Sequence, residues 1–104
     1  MNKETETLKN GFCAVLVRGD DCANCYALAP VATKVAKAYG LPLVEIEAAE
    51  QNGELLRSWA IERVPTFLLL DDGEVFARCA GYQPEEILEI WVEAKLEERK
   101  ESKK

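Results

Sequence analysis

A chain of 104 residues fits one domain with one hydrophobic core, and an apolar fraction of 48% argues against disorder. A formal net charge of −6 and a pI near 4.7 disfavour nucleic acid and anionic membrane surfaces as partners. With no histidine in the chain, Cys-His and Ser-His catalysis and every histidine-containing metal site are excluded.

The first residues, Met1-Asn2-Lys3-Glu4-Thr5-Glu6, lack the apolar stretch of a secretory signal, and no apolar run reaches membrane-spanning length. A cytoplasmic location is the expectation, and in that reducing setting four cysteines are not expected to build a structural disulfide framework. Residues 3 to 10 contain one apolar side chain, Leu8, and read as a weakly ordered lead-in of one or two helical turns. Phe12-Cys13-Ala14-Val15-Leu16-Val17 is a continuous apolar run, as in a strand covered on both faces. A polar loop, Arg18-Gly19-Asp20-Asp21, follows.

From about Cys22 to Tyr39 the pattern is helical, with Leu28, Val31, Val35 and Tyr39 at spacings of three and four. Gly40 ends this helix, and Pro30 inside it is expected to kink it. Leu43-Val44-Glu45-Ile46 reads as a second strand. Residues 50–59 read as a short helix with Leu55, Leu56 and Trp59 inward. Thr66-Phe67-Leu68-Leu69-Leu70 is a third strand, Asp71-Asp72-Gly73 a hairpin turn, and residues 74–80 a fourth, antiparallel strand. After Gly81-Tyr82-Gln83, Pro84 opens a last helix to about Lys95 that should carry Ile87, Leu88, Trp91, Val92 and Ala94 toward the core. The charged tail, 97–104, is expected to fray.

The order β-α-β-α-β-β-α predicts an α/β fold: a mixed four-stranded sheet flanked by helices, its first two strands parallel through a right-handed crossover. One domain is expected over 1–104, with its core at about 10–96.

Cys22-Ala23-Asn24-Cys25 is the stretch that points to chemistry. The spacing lets one thiol attack a foreign disulfide and the other resolve the mixed disulfide. At a helix N-terminus, free backbone N–H groups and the helix dipole stabilise a Cys22 thiolate, and Cys25, one turn on, resolves. Two alternatives stay open: cysteines that merely start a helix, and a zinc site completed by Cys13 and Cys79, although both of these lie in apolar strands and read as small core residues.

Over residues 10–96 the chain resembles the thioredoxin family. Cys22 and Cys25 follow the first core strand, and Pro30 stands five residues after the second cysteine. Val64-Pro65-Thr66 matches the family's cis-proline segment, Asp72-Gly73-Glu74 its hairpin, and Gly81 the glycine before its last helix. The resemblance implies a thioredoxin-like three-layer fold and a thiol–disulfide oxidoreductase with Cys22 and Cys25 catalytic. It implies that Val64, Pro65, Thr66 and Gly81 bind protein disulfide substrates. It also implies electrons from a thioredoxin reductase or another thiol donor, with no cofactor and no metal.

The chain departs from the family at named positions. Asp21 and Ala23-Asn24 replace the Trp and Gly-Pro of Trp-Cys-Gly-Pro-Cys. Leu16 stands where the family has its buried acid, and Glu45 aligns near that acid's lysine partner. Before Phe12 there is no room for the family's first strand and most of its first helix. Asp21 should disfavour a Cys22 thiolate and Arg18 should favour it. Two functional classes follow: an oxidoreductase, favoured by the intact cysteine pair, and a redox-weak binding or adaptor module. A reductase dedicated to one partner is a third.

Overall fold

The computed structural model describes residues 3–102. Met1, Asn2, Lys103 and Lys104, which fall within the N-terminal reading and the tail reading, lie outside the described residues. Helix α1 (Lys3–Lys9) precedes strand β1 (Phe12–Arg18), and α2 (Ala23–Ala38) leads to β2 (Leu43–Glu47). A 3-10 turn (Glu50–Asn52) runs into α3 (Gly53–Ser58). The hairpin β3 (Thr66–Asp71) and β4 (Glu74–Ala80) and the long helix α4 (Glu85–Ser102) complete the chain.

The four strands lie in the order β2-β1-β3-β4, with β1 parallel to β2 and antiparallel to β3, and β3 antiparallel to β4. This is the mixed sheet expected from the element order. The central strands β1 and β3 are sealed on both faces, which is why they read as unbroken apolar runs. Ala14, Leu16, Phe67 and Leu69 face α2 and α4, meeting Leu28, Ala32, Val35, Leu88 and Val92. Cys13, Val15, Val17, Leu68 and Leu70 face the other way, onto Trp59 and the half-buried Leu8, Leu55 and Leu56. Each fully buried Val, Leu or Phe among them contributes about 1.5–3 kcal/mol by leaving water.

Residues 3–9 form the two helical turns expected there, and Leu8, their one apolar side chain, packs on the second core cluster. No strand precedes β1 among the described residues. Two expectations are corrected, both on the last helix. The tail does not fray at 97: α4 continues to Ser102, because Arg99 pairs with Asp71 at 3.0 Å and lies over the Phe12 ring at 4.3 Å. Finally, Ile87 is 50% exposed and Ala94 is exposed. The buried stripe is Leu88 and Val92 with the half-buried Trp91, which meets Phe67 edge-on at 6.0 Å. Ile87 sits one position, and so about 100° of helix rotation, off that stripe.

Two helices end in the same Schellman geometry with different residues at the turning point. After α2, Leu41 N–H donates to Ala36 O at 2.8 Å and Gly40 N–H to Lys37 O at 3.1 Å, with Gly40 at φ 66°. After α3, Ile61 N–H donates to Leu56 O and Ala60 N–H to Arg57 O, both at 3.0 Å, with Ala60 at φ 54°. Alanine is strained in this left-handed region, and Arg78 supports the turn from β4 by donating to the carbonyls of Trp59 and Ala60. Ala60→Gly is therefore expected to stabilise the protein by about 0.5–1 kcal/mol, read as a raised midpoint in urea unfolding.

Candidate active site

Strand β1 delivers the chain to the end of the sheet, and the loop 19–21 turns it into α2. Asp21 makes that turn in the left-handed region (φ 51°), which aspartate tolerates better than bulky side chains do. Cys22 is then the N-cap of α2, in an extended conformation, and its Sγ accepts the Cys25 N–H at 3.2 Å. That donor, with the positive end of the helix dipole behind it, favours negative charge on Cys22 sulfur once the pair is reduced. Cys22 and Cys25 are joined as a disulfide with their Cα atoms 5.2 Å apart. Cys22 is half-buried, whereas Cys25 is 1% exposed. An incoming sulfur therefore reaches Cys22 first.

The Val64–Pro65 bond is cis. Thr66, 3% exposed, starts β3 and donates its hydroxyl to Arg63 O at 2.7 Å. Gly81, at φ 87°, donates its N–H to Pro65 O at 2.8 Å, tying the start of the last loop to the cis-proline turn. This turn approaches the dithiol loop from the side. A Cβ built on Gly19 would stand 3.1 Å from Val64 Cγ2, so the absent side chain at Gly19 is what lets the two loops close up. Val64, Pro65, Thr66 and Gly81 thus form one hydrogen-bonded corner beside the loop that precedes Cys22.

The family model for Thioredoxin matches residues 5–94. This chain belongs to the thioredoxin family. It is 32% identical over 77 residues to a thioredoxin of Bacillus subtilis, covering 72% of this chain and 73% of the relative. A solved mutant thioredoxin from Halobacterium salinarum superposes with a TM-score of 0.75 at 26% identity, over 88% of this chain and 80% of that one. A complex of ferredoxin:thioredoxin reductase with thioredoxin f2 gives a TM-score of 0.73 at 21% identity, over 86% of this chain and 81% of that one, a likeness of fold alone.

Within the thioredoxin frame the surroundings of the dithiol are this chain's own. Leu16 is fully buried among the side chains of the α2/α4 face, so no carboxylate stands there. The charged groups instead sit at the end of β1 and on β2. Arg18 Nη1 bonds Glu45 Oε1 at 2.9 Å, and the Arg18 guanidinium lies 5.9 Å from the centre of the Tyr26 ring. Sequence reading names Arg18 and Glu45 separately but does not pair them. The signal was the parallel β1–β2 register, which sets Leu16 opposite Glu45 and so puts Arg18 and Glu45 on one face.

The remaining cysteines are corrected in part. Cys13 is a core residue at 1% exposure, but Cys79, opposite Phe67 on the edge strand β4, is only half-buried. Burial pushes both thiols above the ordinary cysteine value. Among the described residues, no three of His, Cys, Asp and Glu cluster in a way that could hold a metal ion, and no helix is long and apolar enough to cross a membrane.

A raised pKa leaves the thiolate scarce at neutral pH and lets it accumulate only as the solution turns alkaline. Brief iodoacetamide treatment of the reduced, folded protein at neutral pH should label Cys22 first and leave Cys13 unlabelled until denaturant is added, with Cys79 gaining label as pH rises. Peptide mass spectrometry reads the order directly.

Proposed function

We propose that this thioredoxin-family protein is a thiol–disulfide oxidoreductase that reduces protein disulfides through Cys22 and Cys25. The observation that carries the reading is the half-buried Cys22 sulfur at the N-terminus of α2, receiving the N–H of a buried Cys25 three residues on.

In the reduced protein, the Cys22 thiolate attacks one sulfur of a substrate disulfide. A Cys22–substrate bond forms, the substrate bond breaks, and the departing substrate sulfur takes a proton. Cys25 then loses its proton and attacks Cys22 sulfur, which releases the second substrate thiol and closes the Cys22–Cys25 disulfide. Two electrons have passed to the substrate, and a dithiol donor returns them. A thioredoxin reductase or a low-molecular-weight thiol fits that role, in line with the reductase complex formed by the related fold.

The cis-proline corner supports the substrate side. Val64, Pro65, Thr66 and Gly81 present a fixed stretch of backbone beside the dithiol loop, suited to pairing with an extended peptide that carries the disulfide. With Leu16 apolar, the proton on Cys25 leaves to water, and resolution is the slower of the two thiol steps. An adaptor role would require no chemistry of Cys22 and Cys25.

Trapping separates the roles. Cys25→Ser should accumulate mixed disulfides with protein substrates through Cys22, visible as reductant-sensitive bands on a non-reducing gel, and Cys22→Ser should accumulate few. Equal trapping by both variants contradicts the assignment of roles, and none by either contradicts the oxidoreductase reading.

A further inference from the structure

The surroundings of Cys22 contain one charge pair that the dithiol mechanism leaves unused. Arg18 ends β1, three residues of loop lead from it to Cys22, and its guanidinium rests on the Tyr26 ring. Tyr26 follows Cys22 by one helical turn and donates its backbone N–H to Cys22 O. Residues four apart share a helix face, and side chains on a helix lean toward its N-terminus. Tyr26 thus shares the face of the turn that begins at Cys22, and the Arg18 guanidinium lies over its ring. Glu45 holds that cation in place and at the same time offsets its charge.

We propose that Arg18 and Glu45 are an opposed pair that sets the thiolate population of Cys22: Arg18 raises it, and Glu45 holds it down by neutralising Arg18. The proposal rests on the oxidoreductase reading, since it concerns the reactivity of that same sulfur. Both residues act through Cys22 and are positioning residues for charge. The pair is partly exposed, at 31% and 45%, so its effect is moderate and sensitive to salt.

Other charged and titratable groups share this neighbourhood. Asp20 and Asp21 stand on the loop before Cys22 and oppose the thiolate. Glu47 lies opposite Arg18 in the β1–β2 register. Tyr26 lies under the Arg18 guanidinium, and Glu62 and Arg63 precede the cis-proline turn. All of them are present in both variants, so they enter the baseline from which the difference between the two is read.

The test is the rate of Cys22 alkylation by iodoacetamide in the reduced full-length protein, followed from about pH 5 to pH 10 at low salt and resolved by peptide mass spectrometry. Arg18→Gln should slow the reaction at neutral pH about threefold and move its profile to higher pH. Glu45→Gln should speed it about twofold and move the profile to lower pH. The double variant should return near the starting rate, Arg18→Lys should retain it, and about 0.5 M salt should shrink both single shifts.

A merely structural pair behaves differently: breaking it from either side lowers the melting temperature and moves both profiles the same way or not at all. Shifts of the same sign, or unmoved profiles in folded variants, overturn the proposal. Its failure stays distinct from that of the oxidoreductase reading. If the unaltered protein does not re-form the Cys22–Cys25 disulfide reversibly, that reading falls; if it does and the two profiles fail to separate, only the Arg18–Glu45 proposal falls.

Discussion

Because Cys13 through Val17 are closed to solvent on both faces, β1 has to run through the interior of the sheet, between β2 and β3. That single constraint places almost everything else. A strand covered on both faces needs a helix layer on each side, which α2 and α4 supply on one and α1 and α3 on the other. The strand also aims the chain, so that the residue following its exit loop arrives at the start of α2, and Cys22 is that residue. The cysteine pair is reactive in design because of where the strand ends, with one sulfur at the helix terminus and the other turned under it into the core.

The second anchor is the approach of the cis-proline turn. Val64 reaches the loop before Cys22 only because Gly19 offers no side chain, and Gly81 ties the turn to the loop after β4. Three loops far apart in sequence therefore meet at one end of the sheet. Leu16 is fully buried and offers no acid, and Arg18 and Glu45 pair at this end of the sheet. A buried carboxylate exchanges protons out of reach of salt, whereas an exposed ion pair acts through a field that solvent screens. On the Arg18–Glu45 proposal, the dithiol is adjusted by a surface pair and not by a core group.

The sheet, its order of elements and the cysteine pair were legible in the sequence because each is written in local pattern. β1 and β3 are unbroken apolar runs, Asp72-Gly73 is a two-residue turn with both residues at positive φ, and Cys22 opens an apolar periodicity. What was not legible depends on partners distant in sequence. Ile87 and Leu88 are equally apolar, and only the packing of α4 on α2 decides that Leu88 is buried and Ile87 exposed. The last turns of α4 look like a charged tail until Asp71 and Phe12 are seen to hold Arg99. In the same way Leu8 gains its meaning from Trp59 and Leu70, and Arg18 from the register that brings Glu45 alongside. The left-handed backbones of Asp21 and Ala60 carry no signal in residue type alone.

The central claim is that Cys22 and Cys25 form a reversible two-electron couple in the folded protein. Equilibration of the full chain in dithiol/disulfide buffers, with the oxidised fraction read by thiol modification and mass, tests it most directly. The account expects one transition in which Cys22 and Cys25 change together, with a Nernst slope of about 30 mV per tenfold change in ratio, while Cys13 and Cys79 remain thiols throughout. A pair that stays oxidised or reduced across the whole range, or a transition involving Cys13 or Cys79, would contradict it.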